Sequence, residues 1–136
     1  MKRAVVDPSV LISAFVGSPD AGPAQLVAAW GDERFAMVVS PRLLAELDGV
    51  LSRPKFAHRT GHQRGAAYVA AFAARSEHHP DPDDAGGHVR DADDDYLVAL
   101  ARAANADAIV SLDRDLLDAQ LAGIAVIDPA RFLASF

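Results

Sequence analysis

Four acidic residues stand where the sequence predicts the end of a strand or the border of a buried helix face. They are Asp7, Glu46, Asp94 and Asp113. Carboxylates brought within about 5 to 6 Å repel by roughly 3 kcal/mol per pair at an effective dielectric near 20, so protonation or a hard cation must neutralise them. Ligation by oxygen alone favours Mg²⁺ or Mn²⁺ over zinc, which prefers His or Cys. These residues therefore predict a carboxylate site for a divalent metal ion.

The elements that position these acids alternate along the chain between strand and helix. Strands are predicted at 3–6, 35–39, 108–111 and 124–127, with a further short strand near 76–79, and helices at 8–15, 23–30, 41–51, 65–75, 93–105 and 115–121. Such alternation indicates parallel pairing with helices on both faces of a sheet. The predicted fold class is α/β, a three-layer α/β/α sandwich with a central, mostly parallel sheet. The length of 136 residues fits one domain.

The first and last of the four acids follow predicted strands directly. In parallel sheets, ligands collect beyond the carboxyl ends of the strands, where Asp7 and Asp113 both lie. Glu46 belongs to the helix after the second strand, about 40° around the helix axis from Val50, at about 100° per residue. That position borders the buried face, so we expect the three acids to share one pocket.

The third acid comes from a cluster of aspartates before an apolar helix. Helical phase places Asp94 near the stripe that contains Leu97 and Ala101, whereas Asp95 falls opposite the stripe and is predicted to face solvent. Phase therefore favours Asp94. The alternative is that these aspartates only stabilise a helix N-terminus through its dipole, at about 0.3 to 1 kcal/mol each. That explains one or two of the acids more easily than all of them.

Composition excludes several other kinds of site. The chain has no cysteine, which excludes disulfides, a thiol nucleophile and a zinc site built on sulfur. The five histidines show no metal-ligand spacing, and Ser13, Ser40 and Ser111 lack a paired histidine motif, so a serine hydrolase is not indicated. No run approaches the length of a membrane span and no export signal is evident. We expect a cytoplasmic protein that does not contact a membrane.

A basic stretch stands apart from the acids. The net charge is −6, which argues against a protein that coats nucleic acid nonspecifically, yet residues 53–64 contain no acid. Two interpretations stay open for this stretch, a solvated surface loop and a patch that contacts phosphates. The candidate phosphate contacts are Arg53, Lys55, Arg59 and Arg64.

Four segments, taken in order, resemble the PIN-domain nucleases, in particular the bacterial VapC-like toxins of toxin-antitoxin systems. The segments are Val-Val-Asp-Pro-Ser-Val-Leu-Ile-Ser-Ala, then Ser-Pro-Arg-Leu-Leu-Ala-Glu-Leu followed by Val-Leu-Ser-Arg-Pro-Lys-Phe, then Arg-Asp-Ala-Asp-Asp-Asp-Tyr-Leu, and finally Ala-Asp-Ala-Ile-Val-Ser-Leu-Asp-Arg-Asp-Leu-Leu. Each segment alone is a weak signal, and their order is specific. The resemblance spans nearly the whole chain.

The resemblance implies metal-assisted hydrolysis of RNA phosphodiester bonds. It assigns Asp7, Glu46, Asp94 and Asp113 as the acidic quartet that holds Mg²⁺ or Mn²⁺, with Asp95 competing with Asp94 for the third place. It also implies a homodimer and an antitoxin protein that covers the site. Supporting residues around the quartet are expected to be Ser9, Asp91, Asp95, Ser111 and Asp115. Ordinary helix capping is the alternative role for Asp91 and Asp115.

The chain departs from the family pattern at three places. Pro8 and Ser9 stand where relatives often have Thr-Asn, Leu112 stands where a small or polar residue is frequent, and Ala92 replaces a frequent proline. The change at Ser9 predicts that the polar contact made at this position is weaker or differently made. Every carboxylate of the quartet is nevertheless present.

Two other function classes compete with a nuclease. One is a PIN-like scaffold without catalysis that binds RNA or a protein, although an idle site has no reason to keep so many mutually repelling acids. The other is a phosphoryl-transfer α/β domain. A phosphatase of that kind needs a second aspartate two residues after Asp7, where Ser9 stands, and a receiver domain needs an adjacent acidic pair that is missing.

Overall fold

A parallel sheet of short strands forms the centre of the molecule. The computed structural model describes residues 1–83 and 94–136, and within them the strand order is β3-β2-β1-β4-β5, with every neighbouring pair parallel. The strands are β1 (Arg3–Val6), β2 (Ala36–Val39), β3 (Glu77–His78), β4 (Ala108–Val110) and β5 (Ala125–Ile127). The predicted parallel sheet is confirmed, including the short strand expected near residues 76–79.

The inner strands are apolar on both faces. Ala4, Val5 and Val6 of β1 are fully buried, as are Ile109 and Val110 of β4. A strand covered by helices on both faces shows a continuous apolar run instead of an alternating pattern, and these strands have that signature. The run ends at Asp7, which marks the carboxyl edge of the sheet.

Helices fill the connections between the strands. In the described residues they are α1 (Pro8–Val16), α2 (Gly22–Gly31), α3 (Pro41–Leu51), α4 (Pro54–Thr60), α5 (His62–Arg75), α6 (Asp95–Ala103), α7 (Arg114–Leu117) and α8 (Pro129–Ala134). Several begin with a side-chain cap followed by proline, as at Ser40-Pro41 and Asp128-Pro129. None of the helices described here combines the length and the apolar character needed to cross a membrane.

The direction of the connections assigns the helices to two layers. The chain steps from β1 to β2 to β3 in one direction and from β4 to β5 in the other. Because such crossovers are right-handed, α1 to α5 cover one face, and α6 and α7 cover the opposite face. Helix α8 packs on α2 and so returns to the first face. The three-layer α/β/α sandwich is confirmed.

This arrangement creates a crevice between two neighbouring strands. Strands β1 and β4 lie side by side, and the helices that follow them leave toward opposite faces of the sheet. A crevice opens at the carboxyl ends of such a strand pair, and ligands of α/β proteins bind there. Asp7 follows β1 at this edge, and the segment that contains Ser111 and Asp113 follows β4.

A row of aromatic rings fixes the first helical layer. The ring centroids of Phe15 and Tyr68 lie 4.6 Å apart, those of Tyr68 and Phe72 4.8 Å apart, and those of Phe72 and Trp30 4.7 Å apart. Contacts of this kind stabilise by about 0.5 to 1.5 kcal/mol beyond the area they bury. The row joins α1, α2 and α5 within one helical layer.

Arg3, at the amino end of β1, forms hydrogen bonds to β3 and to the end of α6. Its Nε atom donates to Glu77 Oε2 at 2.8 Å, and its Nη1 atom donates to the carbonyl oxygen of Ala104 at 2.7 Å. These bonds connect β1, β3 and the end of α6. The hydrogen bond and the charge of Arg3 lower the pKa of Glu77, and Glu77 raises the pKa of Arg3.

Three helices differ from the sequence-based expectation. Residues 53–64, interpreted as a loop or a phosphate patch, contain α4 and the start of α5, with Pro54 in the first turn of α4 and Gly61 at φ +84° between the helices. Helix α8 was not predicted, although Asp128-Pro129 is a start signal. Helix α7 is shorter than the predicted 115–121, because it ends at Leu117.

Candidate active site

Asp7 is held at the edge of the sheet through both its backbone and its carboxylate. Its backbone N–H donates to the carbonyl oxygen of Val110 at 2.9 Å, which extends the pairing of β1 with β4 by one residue. Its Oδ1 atom accepts a hydrogen bond of 3.0 Å from the N–H of Ser9 and so caps the start of α1. Only 5% of the residue is exposed. The sequence Val-Asp-Pro-Ser therefore produces a carboxylate of fixed orientation at the end of the central strand.

Ser111 joins the two strand ends that flank the crevice. Its hydroxyl donates a hydrogen bond of 2.8 Å to Asp7 Oδ2 and accepts one of 2.9 Å from the N–H of Asp113. The serine is fully buried. One hydroxyl thus orients the carboxylate of Asp7 and the backbone that carries Asp113.

Asp113 repeats the arrangement seen at Asp7. Its Oδ1 atom accepts a hydrogen bond of 2.9 Å from the N–H of Asp115 and caps the short helix α7. A helix start carries partial positive charge from its unpaired N–H groups, which favours a carboxylate there. Both aspartates therefore contribute to local folding in addition to any role in binding.

A cleft at the carboxyl edge brings three of the four predicted acids together. It has a volume of about 310 Å³. The lining residues are Asp7, Ser9, Ser13, Asp94, Leu112 and Asp113. The three carboxylates come from the ends of β1 and β4 and from the start of α6. Leu112 is 47% exposed and adds an apolar surface to this otherwise polar cleft.

Glu46 lies on α3, outside the residues that line the cleft, and it is exposed. Its Oε2 atom accepts a hydrogen bond of 2.9 Å from the hydroxyl of Tyr96 in α6. Burial, together with the charge and hydrogen bond of Glu46 and the charge of Asp7, raises the pKa of Tyr96 well above its usual range. The phenol therefore stays protonated at neutral pH and acts as the donor. Its hydroxyl lies within electrostatic range of both Glu46 and Asp7.

The two candidates for the third acid have different surroundings. Asp94 precedes the first residue of α6, is half-buried and lines the cleft, whereas Asp95 is the first residue of α6 and only 4% exposed. The expectation that Asp95 faces solvent is wrong. Helical phase failed here because the first turn of α6 is buried all round, with Tyr96, Leu97 and Val98 covered as well as Asp95.

The donor chemistry of the cleft fits a hard divalent cation, since carboxylate and hydroxyl oxygens are the ligands that Mg²⁺ and Mn²⁺ prefer. The acids do not form a closed cage: in residues 1–83 and 94–136 no three His, Cys, Asp or Glu side chains are grouped closely enough to hold an ion. Mutual repulsion of like charges is a physical reason for this spacing.

The predicted supporting residues have distinct positions. Ser9 and Asp115 contact the two aspartates through their backbone N–H groups, and Ser111 does so through its side chain. Asp91 lies outside the described residues. The basic residues Arg53, Lys55 and Arg64 are exposed on or beside α4 and α5, and the side chain of Arg59 lies outside the described part.

Tyr96 was missed by the sequence analysis. Its hydroxyl belongs to the segment Asp-Asp-Asp-Tyr-Leu, but only the acids of that segment were considered as site residues. The available signal was a phenol on the buried face of a helix directly after the acidic cluster, because a buried tyrosine hydroxyl usually has a hydrogen-bond partner.

Comparison with known proteins decides the family. A profile described as PIN domain matches residues 3–115, which is most of the chain. The chain belongs to the PIN-domain family. PIN domains are generally nucleases, and the segments that carry Asp7, Glu46, Asp94 and Asp113 all fall within the matched range. A search of curated proteins finds no match.

Solved structures share the fold of this PIN domain. PAE2754 from Pyrobaculum aerophilum matches with a TM-score of 0.65 and 16% identity over 99% of this chain and 88% of that chain. VapBC2 from Rickettsia felis, in a structure bound to a DNA fragment from the VapBC2 promoter, matches with a TM-score of 0.60 and 14% identity. The match covers 91% of this chain and 96% of that chain. FitAcB from Neisseria gonorrhoeae matches with a TM-score of 0.57 and 19% identity over 93% of this chain and 98% of that chain.

Proposed function

We propose that this PIN domain is an endoribonuclease that uses Mg²⁺ or Mn²⁺ to hydrolyse RNA phosphodiester bonds. The observation that carries the proposal is the cleft at the carboxyl edge, which is lined by Asp7, Asp94 and Asp113 from three separate elements. Ligand sites of parallel α/β folds occur at this position. PIN domains are generally nucleases, which supplies the reaction class.

The residues of the cleft have defined roles in this proposal. Asp7 and Asp113 hold the cation with carboxylates that Ser111 and the helix starts keep oriented, and Asp94 supplies a third carboxylate. Glu46 contributes from α3, and Asp95 supports the start of α6. Bound there, the ion supplies a more acidic water as nucleophile and stabilises the charge that develops on the phosphate.

RNA as the substrate requires cations that approach phosphates outside the acidic cleft. The exposed side chains of Arg53, Lys55 and Arg64 offer them on one stretch of the chain without intervening acids. Interactions of Lys and Arg with phosphates dominate the affinity for nucleic acid. We assign this stretch, together with Arg59, to the path of the RNA backbone.

The biological role that we propose is the toxin of a type II toxin-antitoxin pair. The support is the likeness of the fold to chains of the VapBC2 and FitAcB structures, which covers nearly their whole lengths. In this role the protein acts in the cytoplasm as a homodimer, and a cognate antitoxin covers the cleft. Lack of growth on expression, relieved by Asp7→Asn and by the antitoxin, tests that role.

The decisive experiment for catalysis uses the purified full chain with structured and unstructured RNAs. Cleavage is expected with Mg²⁺ or Mn²⁺, is expected to stop with EDTA, and is expected to fall at least about 100-fold in Asp7→Asn, since loss of a metal ligand removes several kcal/mol of charge stabilisation. Asp48→Asn is the matched control, because it removes an exposed carboxylate of α3 that does not line the cleft. Cleavage that persists in EDTA and in Asp7→Asn contradicts the proposal.

The second candidate function is a PIN-like module that binds RNA or a protein without catalysis. It is favoured by the spacing of the acids, because the described carboxylates do not approach closely enough to form a preassembled metal site. The same experiment separates the two functions. RNA that is bound but left intact in Mg²⁺ and in Mn²⁺, with the same affinity for wild type and Asp7→Asn, supports the binding module.

A further inference from the structure

We propose that Tyr96 is a positioning residue: its hydroxyl, held by the stacking of Arg42 on its ring, keeps the carboxylate of Glu46 directed toward the cleft that contains Asp7. This inference rests on the proposed function, because it concerns the same metal site. It assigns a role to two residues, Tyr96 and Arg42, that lie outside the acidic quartet.

The hydrogen bond between Tyr96 and Glu46 joins two helices that are distant in the sequence. The hydroxyl donates to Glu46 Oε2 at 2.9 Å, although the residues are 50 positions apart and belong to helices α6 and α3. These helices cover opposite faces of the sheet, so the bond forms around its carboxyl edge. Tyr96 is only 6% exposed, so its hydroxyl is presented by a ring with little freedom to move.

The position of Glu46 explains why its contacts matter. Glu46 is exposed on α3, and ordering a glutamate side chain in one rotamer costs up to about 1.5 to 2 kcal/mol. Asp7 and Asp113 avoid this cost because their short side chains cap helices. A longer side chain on a neighbouring helix keeps one orientation only through its contacts, and the Tyr96 hydroxyl supplies one of them.

A neutral phenol is chemically suited to orient a metal-binding carboxylate. A lysine or arginine in its place would pair with Glu46 and offset its negative charge, which competes with a cation. A phenol donates one hydrogen and adds no positive charge of its own. Its single donor engages one oxygen of Glu46, as the bond to Oε2 shows.

Arg42 fixes the ring from the solvent side. Its guanidinium carbon lies 4.3 Å from the centroid of the Tyr96 ring, a cation–π contact of about 0.5 to 1 kcal/mol at an exposed position. Arg42 is one helical turn before Glu46, and its backbone N–H donates to the carboxylate of Asp81 at 3.1 Å. The first turns of α3 thus supply both the residue that holds the ring and the carboxylate that the ring orients.

The test measures Mn²⁺ affinity of the full chain by calorimetry and electron paramagnetic resonance, which does not depend on catalysis. Tyr96→Phe is expected to weaken Mn²⁺ binding about 10-fold, the effect of losing an outer hydrogen bond to a metal ligand. Tyr68→Phe is the matched control, since it removes the hydroxyl of another largely buried tyrosine, bonded to the Leu11 carbonyl oxygen at 2.7 Å. Its Mn²⁺ affinity is expected to stay within about twofold of wild type.

A double-mutant cycle separates positioning from a general loss of structure. If Tyr96 acts through Glu46, the double variant Tyr96→Phe/Glu46→Gln binds Mn²⁺ no more weakly than Glu46→Gln alone. Additive losses overturn the proposal. Arg42→Gln supplies a second variant should Tyr96→Phe fold poorly: about a two- to threefold loss of Mn²⁺ affinity is expected, as for a weakened outer contact, and an unchanged affinity overturns the role of Arg42 and of the held ring.

The outcomes also distinguish this inference from the proposed function. If wild type binds no Mn²⁺, or Asp7→Asn binds it as wild type does, the metal site itself is wrong. If Asp7→Asn abolishes binding while Tyr96→Phe binds as tightly as wild type, the metal site stands and the role of Tyr96 is wrong.

Discussion

The hydroxyl of Ser111 lies 2.8 Å from Oδ2 of Asp7, although 104 positions separate the two residues in the chain. This contact joins the ends of β1 and β4 at the crevice, where the helices that follow these strands leave toward opposite faces. Because Ser111 also accepts the N–H of Asp113, one buried hydroxyl controls the relative positions of two acids.

Substitution Ser111→Ala is expected to damage the site more than the fold. It leaves one oxygen of the nearly buried Asp7 and the N–H of Asp113 without this partner, at a cost of about 1 to 3 kcal/mol in the free energy of unfolding. We expect Mn²⁺ affinity and RNA cleavage to fall about 10-fold. Urea unfolding and Mn²⁺ titration measure the two effects.

Ser40→Ala is the matched control for Ser111→Ala. Ser40 is equally buried and caps α3 by accepting from the N–H of Leu43, so its loss costs about 1 kcal/mol of stability. Its effect on Mn²⁺ affinity is expected to be much smaller. Equal Mn²⁺ affinities of Ser111→Ala and wild type would show that Ser111 serves stability alone.

Asp113 caps helix α7 and is also a proposed metal ligand, and two substitutions can separate these roles. Asparagine caps a helix as well as aspartate does, whereas alanine does not. Without metal, the free energy of unfolding of Asp113→Asn is therefore expected to lie within about 0.5 kcal/mol of that of wild type. That of Asp113→Ala is expected to lie about 1 kcal/mol below it. Added Mn²⁺ raises the melting temperature of wild type by linkage and of neither variant.

Thermal unfolding with and without Mn²⁺ checks this prediction. A rise in melting temperature with Mn²⁺ in Asp113→Asn equal to that of wild type would exclude the Asp113 carboxylate as a ligand. A loss of stability in Asp113→Asn as large as in Asp113→Ala would show that charge, and not capping, is what α7 requires.

The ion pair of Arg3 with Glu77 predicts a dependence of stability on acid pH. Glu77 has a folded-state pKa below its ordinary value of 4.5, so the unfolded chain binds the proton more tightly. The contribution of the pair is therefore complete above about pH 4.5 and is lost as pH falls through the lower folded-state pKa. Because the Glu77 side chain is 46% exposed, solvent screening limits it to about 0.2 to 1 kcal/mol.

Glu77→Gln is the variant that tests this dependence. Its unfolding free energy is expected to lie below that of wild type at pH 7 and to converge with it near pH 3, as measured by urea unfolding across that range. A difference that stays constant with pH would assign the effect to packing instead of charge. Asp83→Asn, an exposed acid, provides a control for the general effect of acid.

The basic stretch predicts how RNA affinity depends on salt. Lys55→Gln and Arg64→Gln are each expected to weaken RNA binding in the Asp7→Asn background, and each lowers the slope of log affinity against log salt by about 0.7 for a single-stranded RNA. Arg131→Gln, an exposed arginine on α8, is the control. An unchanged slope in both variants would restore the interpretation of residues 53–64 as a solvated face.

The sequence predicted the sheet better than the outer helices. The apolar runs before Asp7 and before Ser111 are buried on both faces, so a strand signal survives in any context. Helices α4 and α8 are short, and their signals are only a proline in the first turn with, at Asp128, a capping side chain. Such signals are also found in turns, which is why residues 53–64 were interpreted as a loop.

The site was predictable wherever a residue directly follows a strand. Asp7 and Asp113 gain their positions from β1 and β4, and the pairing of those strands determines that both line the same cleft. The choice between Asp94 and Asp95 depends on which sides of α6 are covered, and no ideal helical phase contains that information. The contact of Tyr96 with Glu46 depends on the distance between α3 and α6, which only tertiary packing determines.

The hydrogen bond that links Ser111 to Asp7 also has a consequence for synthesis of the protein. Asp7 is translated 104 positions before Ser111, so it leaves the ribosome well before its partners Ser111 and Asp113. A nascent or truncated polypeptide that ends before them cannot assemble the cleft. Any activity that depends on the cleft therefore appears only after β4 and the residues that follow it have been translated.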